Sequence, residues 1–167
     1  MNSTKKIAVI GAGASGFMAA ITAKESDATV SVTIFEKTDK ALSKVKVSGG
    51  GRCNVTNATF SIAQLIKNYP RGGKELKNSF NLFNTKHTVE WFESRGIALK
   101  TEADNRIFPS SNDSQTIVDL LLSKAKNLNI RISFKSKVNA IKSLSNGVNL
   151  SINEEAIFFD KVIIASG

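Results

Sequence analysis

Apolar positions along the chain follow two periods. Short β-branched runs stand at 6 to 11 (KIAVIG) and 29 to 37 (TVSVTIFEK), and between them ASGFMAAITAKE, 14 to 25, carries small and apolar residues at helical spacing. These predict a β-α-β unit. The next clean apolar run, IRISF at 130 to 134, comes only about ninety residues after Glu36, so an insertion with its own structure is expected. Within it, 60 to 69, 74 to 83 and 85 to 96 predict helices, the last stopped by Gly96, and 97 to 109 predicts a strand, a polar turn and a strand broken by Pro109. Capping residues from Ser110 then lead into a helix with Ile117, Val118, Leu121, Leu122, Ala125 and Leu128 on one face. KVNAIKSL, GVNLSIN and AIFFD, spanning 137 to 160, predict a three-stranded β-meander, and KVIIASG a final parallel strand buried in the sheet.

Composition keeps this in the class of folded α/β domains. The chain has 167 residues, 41% hydrophobic and 22% charged, enough for one domain with a core. A formal net charge of +9 attracts polyanions, yet the basic residues are spread along the chain, Trp and Tyr occur once each, and no nucleic-acid-binding signature is present. Nucleic acid is therefore not expected as a partner. A single cysteine cannot form an intramolecular disulfide, which favours a reducing, cytoplasmic setting. The apolar opening resembles a signal peptide in outline, but Gly11, Gly13 and Gly16 suit a strand-turn-helix corner better than a continuous helix, and no other run is long and apolar enough to span a bilayer.

That corner carries the first chemistry. Gly11 permits the turn, Gly13 the approach of an anion to the backbone, and Gly16 close helix–strand packing, while the first helical turn, Ala14 and Ser15 included, offers N–H groups and a positive dipole end to a diphosphate. Glu36 lies twenty residues past Gly16 at the end of the second strand, where a carboxylate accepts hydrogen bonds from ribose hydroxyls; Lys37 follows it. This is a site for the ADP half of a dinucleotide, shared by NAD and FAD. The long insertion and the meander between the third and fourth parallel strands match the plan of flavoprotein domains related to glutathione reductase, and so favour FAD.

SKVKVSGGGRCNVTN, 43 to 57, carries the second. Ser48, Gly49, Gly50 and Gly51 let the backbone lie against a ligand, and successive N–H groups can form a nest for phosphate or flavin oxygens. Arg52 adds charge toward a diphosphate or orients the loop, Lys44 is a further anion contact, and Asn54 and Asn57 suit the mixed edge of an isoalloxazine or the ribityl hydroxyls. Cys53 reads as a buried small hydrophobe rather than a redox thiol, and His87 as an exposed helix residue; Phe108 and Pro109 either approach the flavin or close a hairpin.

IGAGASG, FEK, KVKVSGGGRCNVTN, RIFPSS and VIIASG, in that order, resemble the bacterial aminoacetone oxidase-like family of FAD-binding oxidoreductases from the first strand to the last residue. The resemblance implies a glutathione-reductase-like Rossmann FAD domain, incomplete here, spanning 1 to 167 with a helical insertion and flavin-contacting loop at 37 to 129. It implies that the substrate-binding and catalytic parts lie in later sequence. Related flavoprotein domains place backbone near Val138 at the adenine edge, and Ala165, Ser166 and Gly167 at the carboxyl edge of the sheet beside the cofactor. The implied activity is flavin-dependent oxidoreduction of a small molecule, with NAD(P)H as a candidate electron donor. An NAD(P)-binding domain and a non-enzymatic basic module for polyanions remain the alternatives.

Overall fold

A computed structural model describes residues 4–167. Along the chain the elements are β1 (Lys6–Ile10), α1 (Ala14–Ser26), β2 (Ser31–Phe35), α2 (Ser43–Gly51), β3 (Thr56–Asn57), α3 (Ile62–Leu65) continued by a 3₁₀ turn (Ile66–Asn68), α4 (Gly73–Leu82), α5 (Thr85–Glu93), β4 (Leu99–Thr101) and β5 (Arg106–Pro109). They continue with α6 (Gln115–Asn127), β6 (Arg131–Ser133), β7 (Val138–Leu144), β8 (Gly147–Ile152), β9 (Glu155–Phe159) and β10 (Lys161–Ile164). Two compact units result, one of residues up to Val45 with Val118–Gly167, the other Lys46–Ile117.

The first unit holds a parallel sheet in the order β10-β1-β2-β6. In register, Ile7 meets Lys161 and Val32, and Thr33 meets Arg131. Ala8 and Val9 are both fully buried, and because consecutive strand residues face opposite ways, β1 must be covered on both sides. Helix α1 covers one: Gly16, Phe17, Ala20 and Ile21 form its buried stripe, and Gly16 packs at Val9. Burial of a side chain such as Phe17 stabilises by about 2–3 kcal/mol. The β7-β8-β9 meander covers the other, its Leu150, Ile152 and Phe159 clustering with Ala8 and Phe35. Phe35 and Phe159 meet edge to face, with ring centres 5.6 Å apart. Helix α6 is tied to α1 by the Lys124–Glu25 pair at 3.4 Å.

The second unit is built on the antiparallel sheet β3-β5-β4, with Thr56 opposite Ile107 and Leu99 opposite Pro109. Leu65, Phe92, Ile107 and Phe108 are buried in it. Pro109 closes its strand rather than breaking it: it lacks an N–H only at the last paired position, and Ser110 resumes the bonding by donating to the Ala98 carbonyl at 2.8 Å.

Four expectations change. The segment 43 to 57 is not all loop, since α2 opens it, helical as far as Val47 and kinked out of helical geometry at Ser48, Gly49 and Gly50, and β3 closes it. The helix expected over 60 to 69 is one α turn followed by the 3₁₀ turn. The closing strand is not buried: β10 is the sheet's outer strand, so Ile164 has no neighbour on one side and is 64% exposed. His87 is half-buried, because its Nδ1 accepts from the Asn84 N–H at 3.1 Å while the Asn84 side chain caps α5, a reciprocal pair. Among the described residues, no helix is long and apolar enough to cross a membrane.

Candidate functional site

In the first unit the β1–α1 corner is shaped by two close approaches. Gly11 has φ +106°, and a Cβ there would stand 2.5 Å from the Ala165 carbonyl oxygen; a Cβ on Gly16 would stand 1.9 Å from the Gly11 carbonyl oxygen. Only glycine fits either place. At Gly13 a Cβ would meet nothing within 4 Å, so the backbone at the start of α1 faces open space. No side chain caps that helix, no acidic residue lies in its first turn, and Ala14 and Ser15 are exposed. The corner thus leaves its first N–H groups and the positive dipole end to an incoming anion.

Glu36 stands beside it at the end of β2. Its Oε2 accepts from the Ala12 N–H at 3.1 Å and its Oε1 from the N–H and hydroxyl of Thr38, both at 2.9 Å. Burial pushes this carboxyl upward, but the Thr38 and Ala12 hydrogen bonds and the Lys37 charge outweigh it and hold the group below its ordinary value. Glu36 is therefore an anion with acceptor capacity to spare. Its backbone carbonyl accepts from the Ser136 N–H at 2.8 Å, which anchors the approach to β7, where Val138 pairs with Ile152 beside a bulge. On the far side of the corner, the Lys44 ammonium lies 3.5 Å from where a Gly167 Cβ would stand. The unit therefore gathers Gly11, Gly13, Gly16, Glu36, Lys44 and Ala165 to Gly167 about one corner; Lys37 is exposed next to Glu36.

The second unit carries the triple-glycine segment. Gly49, Gly50 and Gly51 take φ of +56°, +68° and +86°, a left-handed run closed by a hydrogen bond from the Cys53 N–H to the Ser48 carbonyl at 3.0 Å. A Cβ on Gly50 or Gly51 would meet nothing within 4 Å, whereas one on Gly49 would stand 2.8 Å from Phe108 Cε1. Arg52 does not stand free: it is ion-paired to Glu102 at 2.5 Å, and its guanidinium lies 4.0 Å over the Phe108 ring. Asn54, with its carboxamide oriented to satisfy its neighbours, donates to the carbonyls of Thr56 at 2.9 Å and Ile107 at 3.3 Å. Asn57 accepts from the Thr59 N–H at 2.9 Å. Asn57 therefore holds a local backbone turn, while Asn54 ties the segment to β5. Cys53 is buried, with φ +61°, and burial pushes its thiol up against a smaller opposing hydrogen bond with Ser48.

Ser114 escaped the sequence reading. It is buried, its N–H donates to the Gly51 carbonyl and its hydroxyl to the Lys46 carbonyl, both at 2.8 Å, so it straps the two ends of the segment. Its place in SSNDS marked it only as a helix-capping residue. Glu102 was equally silent, fifty residues from its partner.

Residues 5–167 match the HI0933-like protein Rossmann domain family. The chain belongs to this family. It is 30% identical over 97% of its length to the 3-dehydro-bile acid delta(4,6)-reductase of Clostridium scindens and 26% identical over 95% to the ribosomal RNA dihydrouridine synthase of Escherichia coli. It spans 39% and 38% of those two proteins. The fold is similar to that of a flavocytochrome c3 fumarate reductase, with TM-score 0.69 at 21% identity over 99% of this chain and 34% of that one. It is also similar to CtdE in complex with FAD and substrate 4, with TM-score 0.56 at 17% identity over 98% of this chain and 38% of that one. The expected Rossmann α/β class agrees with the family and with these neighbours. The two relatives are a bile acid reductase and an RNA dihydrouridine synthase rather than aminoacetone oxidases.

Proposed function

We propose that this chain is the FAD-binding part of a flavin-dependent oxidoreductase. The observation that carries the reading is the open helix start at Gly13, with Glu36 fixed on one side and Lys44 and Gly167 on the other. Gly13, Ala14 and Ser15 would receive the diphosphate, Glu36 the adenosine ribose and Val138 the adenine edge, with Lys37 and Lys44 adding positive charge. The triple-glycine segment, with Ser48, Arg52, Asn54 and Asn57, is proposed as the flavin-side contributor of the insertion at 37 to 129. The flavin, when bound, supplies the redox chemistry, and these residues bind and orient it.

The relatives' names favour a reductase of an unsaturated ring over an aminoacetone oxidase. NAD(P)H as electron donor and the cytoplasm as setting belong to the same proposal. A second reading of the substrate, a base in RNA, draws support from exposed Phe60, Tyr69 and Phe83 lying in sequence among exposed Lys67, Arg71, Lys74 and Lys77. Retention of a single-stranded RNA oligonucleotide that falls with salt, set against retention of a conjugated steroid ketone, separates the two.

The cofactor reading is tested by the absorption spectrum of the purified protein and by titration of the stripped protein with FAD, FMN and NAD. FAD bound with flavin bands, and FMN bound far more weakly for want of the adenylate half, is the expected result. Preference for NAD without flavin would replace this reading with the nicotinamide one.

A further inference from the structure

We propose that Arg52 is a positioning residue for the triple-glycine segment, held by Glu102, and not a ligand of the cofactor's diphosphate; this rests on the FAD reading above. An arginine next to three glycines is, on sequence alone, a natural partner for a phosphate. The geometry assigns its charge elsewhere. Arg52 Nη1 is 2.5 Å from Glu102 Oε1, and the same carboxylate reaches Arg106 Nη2 through Oε2 at 3.9 Å. Arg106 is held in turn by Asp104 at 2.6 Å. Both guanidinium groups lie near the Phe108 ring, Arg52 at 4.0 Å and Arg106 at 5.4 Å from its centre. Phe108 is fully buried, so this ring is a fixed wall.

Gly49 is set against that wall and against Arg52 together. A side chain on Gly49 would collide with the Phe108 edge at 2.8 Å, and the Gly49 carbonyl accepts from Arg52 Nε at 3.4 Å. Gly51, two residues further on, is fixed by the Ser114 N–H. A left-handed run of glycines has the largest backbone entropy to lose, and here it is held at one end by the Arg52 side chain against Phe108 of β5 and at the other by the Ser114 backbone N–H just before α6. Gly50, between the pins, faces open space. Glu102 sits fifty residues from Arg52 and touches no glycine itself, so its effect on the segment passes through Arg52.

A double-mutant cycle on the full-length flavoprotein tests this. Glu102→Gln and Arg52→Lys each keep shape while removing the charge-assisted pairing or its planar fork. Dissociation constants for FAD, flavin midpoint potentials and apoprotein melting temperatures are measured for both single variants and the double. Positioning predicts that each single change weakens FAD roughly tenfold, that the double is no worse than either, and that the flavin spectrum and potential shift alike in all three. Loss with Arg52→Lys alone, additive losses, or unchanged affinity in both singles would each overturn the proposal, the first in favour of a direct diphosphate contact. Equal loss of affinity explained by a lower apoprotein melting temperature, with spectrum and potential unmoved, would also overturn it. A parent protein that binds no FAD would instead remove the cofactor reading beneath it.

Discussion

The Ala12 N–H donates to the Glu36 carboxylate at 3.1 Å, so the glycine corner after β1 and the end of β2 are tied by a charged group. The bond fixes where the carboxylate stands before any ligand arrives, a prerequisite for bidentate capture of a ribose.

The same bond makes stability depend on pH with a defined sign. The Glu36 pKa in the folded protein is lowered, so its contribution is complete above the unfolded-chain value of about 4.3 and is lost as pH falls through the folded value. Urea melts of the parent and of Glu36→Gln should show a stability gap that narrows with acidification below that point. A constant or widening gap would contradict the assignment.

Gly13 and Gly16 should separate binding from folding. Gly16→Ala drives a methyl into the Gly11 carbonyl and should cost at least the usual 1–3 kcal/mol of overpacking, read as a lower melting temperature. Gly13→Ala meets no neighbour, and φ −86° suits alanine, so melting should change little while FAD affinity falls about tenfold or more. Unchanged affinity in Gly13→Ala would remove the diphosphate from the corner.

Cys53 should behave as core. Buried, and with its thiol pushed up by that burial, it should react with a disulfide reagent at mildly alkaline pH only as fast as the second unit opens. Cys53→Ala should retain flavin binding and its spectrum. Rapid native-state modification, or bleaching of the flavin spectrum in the variant, would restore a redox role.

Phe159→Ala should be among the most damaging single changes in the first unit. It empties the edge-to-face partner of Phe35 and opens the seam between meander and parallel sheet, at a cost of about 3–5 kcal/mol in denaturant unfolding. A loss below about 1 kcal/mol would mean that the meander is not held by this cluster.

What the sequence made legible was local. The turn at Gly11, the open backbone at Gly13, the packing at Gly16 and the acid at Glu36 lie within one β-α-β unit, where spacing and geometry coincide. The β-α-β order and the meander followed from periodicity and spacing. The rest depended on contacts distant in sequence. Whether Arg52 served a diphosphate or oriented the loop stayed open because its partner is fifty residues on, and β10 looked buried because its apolar run is indistinguishable from a central strand until its neighbours are counted. His87 looked exposed because its capping partner, Asn84, acts through the backbone and leaves no apolar signature.

The pairing of β1 with β10 brings together residues 154 positions apart, Lys6 bonding to Asp160 at 2.6 Å. A ribosome therefore releases β1 long before its partner β10. Until β10 emerges one side of the β1 backbone stays unsatisfied, which makes the nascent chain a natural client for a holdase and its yield sensitive to synthesis speed.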